Sequence, residues 1–275
     1  MAKCLHTILQ FESSNPNLPV LEAMQQFTLD AIIASGNVSM TDAQKWALNH
    51  FFYQIGAIDN NGIYAKLGGL YMPLICGDVL AKAMVDYKGV ESEDISTKDV
   101  KFQSHGLVKD NPSAIMSNSS IILRNDYAGS VSNLTVAAML TENFLSDSAI
   151  ELLLIGFRGS SDSGSQIVKA TQDTNKNYMQ LFEKRPTYPA KRAFSGAIGT
   201  INGANYSALF IGDEDYENSS VTDYGTAPSG VNYVTLYWNA VAPIGIYAYG
   251  SALTSAEMTL LANAMKELTQ AFVTL

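Results

Sequence analysis

The chain has 275 residues, of which 47% are hydrophobic and 16% charged, so it can bury a sizeable core and has the composition of a folded globular protein. A formal charge of −9 repels phosphate backbones and argues against nucleic-acid binding. No apolar run of about 18 residues is present to insert in a membrane, and two cysteines, Cys4 and Cys76, do not make a disulfide framework.

Taken in order, residues 1–18 read as an N-terminal arm that closes on the loop ESSNPNLP. Its start, MAKCLHTILQFESS, has no long apolar stretch followed by a small-residue cleavage site. No signal peptide is therefore expected, and both thiols are expected to be free in a reducing cytoplasm. Pro19 suits the first turn of a helix. Leu21, Met24, Phe27 and Ala31 then recur at helical spacing up to the stop at Gly36. In SMTDAQKWALNHFFYQIG, Thr41 and Gln44 form a capping box. Trp46, Ala47, Phe51 and Ile55 supply the expected apolar face of that helix, with His50 at its core or rim. A third short helix is expected over NNGIYAKLGGLY, carrying Ile63, Leu67 and Leu70. Residues 19–75 thus form a helical lead-in.

The texture changes after Pro73. KFQSH, SIILRN, LTVAAML, AIELLLIGF, SQIVKAT, YMQLFE, AFSGAIGTI, YSALFIGD, NYVTLYW and PIGIYAYG all read as strands. Gly, Asn, Ser and Pro punctuate the connections between them. Close spacing without intervening helices predicts an antiparallel sandwich or jelly roll. No solenoid repeat is present. The chain then closes on a helix over 254–275, opened by a second capping box, Thr254 with Glu257. Met258, Leu261, Met265, Leu268 and Phe272 alternate by three and four along it. That stripe has two readings, packing on the sandwich and lead-in helices or packing against other copies in an oligomer.

Two of these stretches carry a resemblance. IGIYAYGSALTSAEMTLLANAMKELTQAF resembles the last strand and C-terminal helix of concanavalin-A-like (LamG-like) domains in phage and prophage structural proteins, as in crAss-like and other Bacteroidota phages. The lead-in is similar to theirs at Thr41-Asp42, at Gly62-Ile63-Tyr64-Ala65-Lys66 and at Tyr71-Met72-Pro73. After that point the family has a Gly-Gly-Thr-Ala-like run, where this chain has LICGDVLAKAMVDYKGVESED. The fold the resemblance implies is mainly β: a concanavalin-A-like antiparallel β-sandwich (jelly roll) over 76–275, with an N-terminal helical region and a closing C-terminal helix. The function it implies is that of a non-enzymatic bacteriophage virion structural protein, on a tail fibre, appendage or capsid surface. It also implies a homo-oligomer (a trimer in phage fibres) with other virion proteins as partners, located in the virion.

Two overlapping sets of residues are candidates for chemistry. Asp213, Asp215 and Glu217 alternate in IGDEDYENSS. On one strand face that spacing would align three carboxylates, as laminarinase-type glycosidases of this fold do with Glu-x-Asp-x-Glu. The same three residues could instead present hard oxygens to calcium, the one cofactor the pattern admits, or form a solvated turn. Asp213, Asp215, Tyr216 and Trp238 are the candidates for a host-surface glycan site, since sugars take aromatic faces plus carboxylates. His6, His50 and His105 are scattered, without zinc spacing.

Overall fold

The computed structural model describes residues 40–56, 62–75, 95–98, 100–103, 105–109, 120–123, 132–144, 150–158, 165–172, 177–180, 193–203, 205–212, 216–221, 233–237 and 243–273. The arm at 1–18, the helix expected over 19–35 and both cysteines lie outside these residues. The helices are α1 (Asp42–Gln54), α2 (Gly62–Lys66) and α3 (Ser255–Gln270), with a 3-10 turn at Pro73–Ile75. The strands are β1 (Leu67–Tyr71), β2 (Ile95–Lys98), β3 (Val100–Gln103), β4 (Gly106–Lys109), β5 (Ser120–Leu123), β6 (Asn133–Phe144) and β7 (Ile150–Arg158). They continue with β8 (Ser165–Gln172), β9 (Asn177–Gln180), β10 (Phe194–Asn202), β11 (Asn205–Ile211), β12 (Tyr216–Val221), β13 (Tyr233–Tyr237) and β14 (Ile244–Gly250). The protein is mainly antiparallel β-sheet with a C-terminal helix.

Both capping boxes form. Thr41 N donates to Gln44 Oε1 at 2.8 Å, and Gln44 N donates to Thr41 Oγ1 at 3.2 Å. At α3, Thr254 N donates to Glu257 Oε2 at 2.8 Å and Glu257 N to Thr254 Oγ1 at 3.3 Å. Each box satisfies amides that a helix start leaves without partners. Replacing Thr254 by Ala is expected to cost about 1 kcal/mol, read as a lower denaturation midpoint with an unchanged slope.

Two local expectations are corrected. The helix over NNGIYAKLGGLY stops at Lys66, and Leu67–Tyr71 becomes β1 instead. Gly68 and Gly69 are poor helix residues, and β14 offers them an antiparallel ladder, with Leu70 opposite Ala248 and Tyr71 opposite Tyr247. Trp46, expected on the apolar face of α1, is instead 36% exposed. The buried stripe of that helix is Ala47, Leu48, Phe51, Phe52 and Ile55.

The strands form two sheets, all of whose described pairs are antiparallel. One has the order β12-β11-β10-β6-β14-β4-β3, with β1 also paired to β14. The other has the order β2-β5-β13-β7-β8-β9. The two orders are related. The run β6-β14-β4-β3 in the first sheet is matched by β7-β13-β5-β2 in the second, each strand holding the same place in its run as its neighbour in sequence. Four segments of chain therefore contribute one strand to each sheet, in the same order.

The centre of the first sheet is buried on both faces, since β10 and β14 show no exposed residue between Phe194 and Ile201 or between Ile244 and Gly250. Helix α3 lies against β6, β10 and β11 and packs beside α1. Met258, Leu261, Met265 and Leu268 are each 0% exposed, and Phe272 is partly buried against the core. The three-and-four stripe of α3 is thus occupied within the chain.

Candidate functional site

Buried hydroxyls fix where α3 begins. Thr135 on β6 and Thr200 on β10 are register partners, and their hydroxyls lie 2.9 Å apart. The Leu253 amide donates to both at 3.0 Å, and Thr200 Oγ1 also donates to the Leu134 carbonyl at 3.2 Å. Asn133 Oδ1 accepts from Ala252 N at 2.7 Å. These bonds tie the link from β14 to α3 down onto the sheet, where an unpaired amide would be costly.

From that anchored start, α3 reaches outward at three places. Near its N-terminus, Glu257 receives Lys66 Nζ of α2, with both carboxylate oxygens at 2.7 Å. Burial alone would raise the Glu257 pKa, but the hydrogen bonds from Lys66 and Thr254 outweigh it and hold the carboxyl below its ordinary value. A depressed carboxylate stabilises the fold above its unfolded pKa and loses that contribution as pH falls through its folded one. Glu257→Gln is therefore expected to flatten the acid limb of a stability profile below about pH 4.5. The effect at neutral pH should be a few tenths of a kcal/mol, the size of a partly exposed ion pair.

Two turns further on, Lys266 Nζ donates to the Gly212 carbonyl at 2.8 Å. Gly212 opens the connection between Ile211 and Tyr216, the terminal register pair of β11 and β12. Asp213 and Asp215 fall in that connection, outside the described residues. Tyr216 and Glu217 are the first residues of β12, the edge strand of the first sheet, opposite Ile211 and Phe210. Of the three carboxylates only Glu217 lies in a described strand, so the period of two does not carry the trio along one described strand face. Trp238 follows β13 of the other sheet and is also outside the described residues. The described residues bring none of the glycan candidates into contact with another. Among them no group of three or more His, Cys, Asp or Glu could hold a metal ion.

The adjacent residue, Glu267, faces α1 instead. His50 Nδ1 is 3.1 Å from Glu267 Oε1, and Gln54 Nε2 donates to Glu267 Oε2 at 3.0 Å. The His50 ring lies between two others. Trp46 is stacked on it at 4.8 Å and 29°, and Tyr53 at 6.4 Å and 19°. Tyr53 is 52% exposed. The result is an ordered aromatic stripe with a carboxylate and a carboxamide beside it. Sequence reasoning missed it by giving Trp46 to the core. The signal was the spacing of Trp46, His50 and Tyr53, four and then three residues apart, on the face that Phe51 and Ile55 leave outward.

No protein-family model and no curated protein matches the chain. It is similar to the Trypanosoma rangeli sialidase in complex with sialic acid, with 12% identity, a TM-score of 0.49, and coverage of 82% of this chain and 38% of that one. It is also similar to a mutant of that sialidase displaying trans-sialidase activity, with 12% identity, a TM-score of 0.47, and coverage of 87% and 39%. A third is tailspike protein 2 of the Escherichia coli O157:H7 bacteriophage CAB120, with 10% identity, a TM-score of 0.35, and coverage of 67% and 29%. The chain spans about two fifths of the length of the sialidases it matches. The expectation was a non-enzymatic virion structural protein, whereas the first structures matched are sialidases, at 12% identity and less than half of their length. Among the described residues no helix is long and apolar enough to cross a membrane.

Proposed function

We propose that the chain is a concanavalin-A-like β-sandwich module directed at glycans. The observation that carries this reading is the matched order of β6-β14-β4-β3 and β7-β13-β5-β2. Strands that run through two sheets in one shared order are what a rolled antiparallel ribbon produces, and that supports a jelly roll over two separate sheets. The resemblance of the lead-in and closing helix to concanavalin-A-like domains points the same way, and such sandwiches are lectin-like. Residues at the sheet ends then form the recognition loops. Here those include the β11–β12 connection with Asp213 and Asp215, and Trp238 after β13.

The test takes the full chain and a panel of neutral and acidic polysaccharides. Retardation in polysaccharide gels measures binding, and released reducing sugar measures cleavage, each with and without a calcium chelator. The reading requires saturable binding or cleavage of at least one polymer. Neither activity on any polymer would sink it. If cleavage is seen, full activity in Glu217→Gln would remove that residue from the chemistry.

A further inference from the structure

We infer that the outward face of α1 is a sugar-binding platform for neutral pyranose rings, built from residues other than those of the loops at the sheet ends. The inference rests on the glycan reading above and assigns it a site. Its basis is the stripe of Trp46, His50 and Tyr53 with Glu267 and Gln54 alongside.

Helix α1 already has a complete inward stripe, from Ala47 to Ile55, which packs in the core. Trp46 and Tyr53 are not needed there, yet two of the three exposed large hydrophobic residues among the described ones are this pair. Burying such rings is favourable and leaving them in water is not, so a second aromatic stripe facing outward calls for an occupant. Trp46 and Tyr53 are each stacked on the His50 ring, so less side-chain freedom remains to be lost on binding.

The polar groups define the occupant. Glu267 is held in place by His50 and Gln54, while its side chain remains 43% exposed. A carboxylate has about four lone-pair positions, so two contacts leave acceptors free for outside donors. A pyranose offers both halves of this match: an apolar C–H face for an aromatic ring, and hydroxyls that donate to a fixed carboxylate. The carboxylate, in a chain of net charge −9, disfavours anionic sugars and phosphates. Two aromatic rings interrupted by an imidazole, with a carboxylate beside them, are also a small patch beside the ~800 Å² per partner of a standard protein interface.

Trp46 and Trp238 are the two tryptophans of the chain, so Trp238→Phe leaves Trp46 as the single indole reporter. Full-length Trp238→Phe would be titrated with soluble neutral polysaccharides, mixed-linkage glucan and laminarin, while its emission is followed. Wild type, Trp46→Ala, Tyr53→Ala and Glu267→Gln would be compared in affinity gels. The expected result is a saturable change in Trp46 emission and about tenfold weaker binding in Trp46→Ala and Tyr53→Ala, with melting temperatures near wild type. If Trp46→Ala does not fold, the more exposed Tyr53→Ala carries the comparison. Neutral-glycan binding by wild type that both ring variants retain within about twofold, with silent Trp46 emission, overturns the platform and leaves the glycan reading standing. Binding only to acidic polymers also overturns the platform. No binding or cleavage of any polymer overturns both.

Discussion

Gly250→Ala is expected to destabilise the protein by about 3 kcal/mol, lowering its melting temperature by about 6–10 °C. A methyl at this position would press on the Lys66 carbonyl oxygen and stand 2.6 Å from Leu67 Cα and 2.9 Å from Gly68 N. All three obstacles are backbone, so no rotamer change relieves them. The same carbonyl accepts from Ser251 N at 2.8 Å, and Gly250 is the register partner of Leu67. Displacing this point would loosen α2 and β1 together. Gly69 meets a softer obstacle, because its added methyl would lie against the Tyr249 ring, 2.7 Å from the hydroxyl. A Gly250→Ala variant melting within about 2 °C of wild type would show that β1 does not dock on β14 in the described register.

Leu261→Ala is expected to cost about 3–4 kcal/mol, while Leu260→Ala, at the neighbouring residue, should stay within about 0.5 kcal/mol. The contrast follows from exposure of 0% against 41%. Denaturant midpoints of the two variants measure it. An oligomer seam on α3 would predict something different: a Leu261→Ala loss that depends on protein concentration, because subunits would separate before they unfold. Packing within one chain predicts the same loss at every concentration. A concentration-dependent midpoint would therefore contradict the packing of Met258, Leu261, Met265 and Leu268 beneath the chain's own sheet and helix.

How much of this was legible in the sequence depended on how local its cause was. The two capping boxes are short, chemically specific patterns, and both form as read. The strands from KFQSH to PIGIYAYG were legible as apolar runs between turns, and each contains a strand. Strands β2, β4 and β12 were not: ISTK, GLVK and YENSSV are short or polar, and each is a strand because a neighbour supplies the ladder. Strand β1 misled for the same reason. LGGLY continues a helical pattern, and only the presence of β14, far along the chain, makes it a strand. On α1 the apolar residues exceed what one face can hold, and spacing alone did not reveal that Trp46 faces outward. The tether from Lys266 to Gly212 links residues 54 apart and left no local trace.

The place of β14 has a consequence for synthesis. It is the last of the described strands, yet it lies inside the first sheet, between β6 and the pair β4 and β1. While the ribosome is still translating the residues before Ile244, β6 has an open edge and Leu67–Tyr71 has no ladder to join. Neither α1 nor the sheet beneath α3 can be covered until Ser255–Gln270 emerges. Long-range pairing of this kind is slow and leaves apolar edges exposed while it is incomplete. The nascent chain therefore waits on the stretch from Ile244 to Gln270, and products truncated before β14 should accumulate as aggregate rather than as a smaller folded protein.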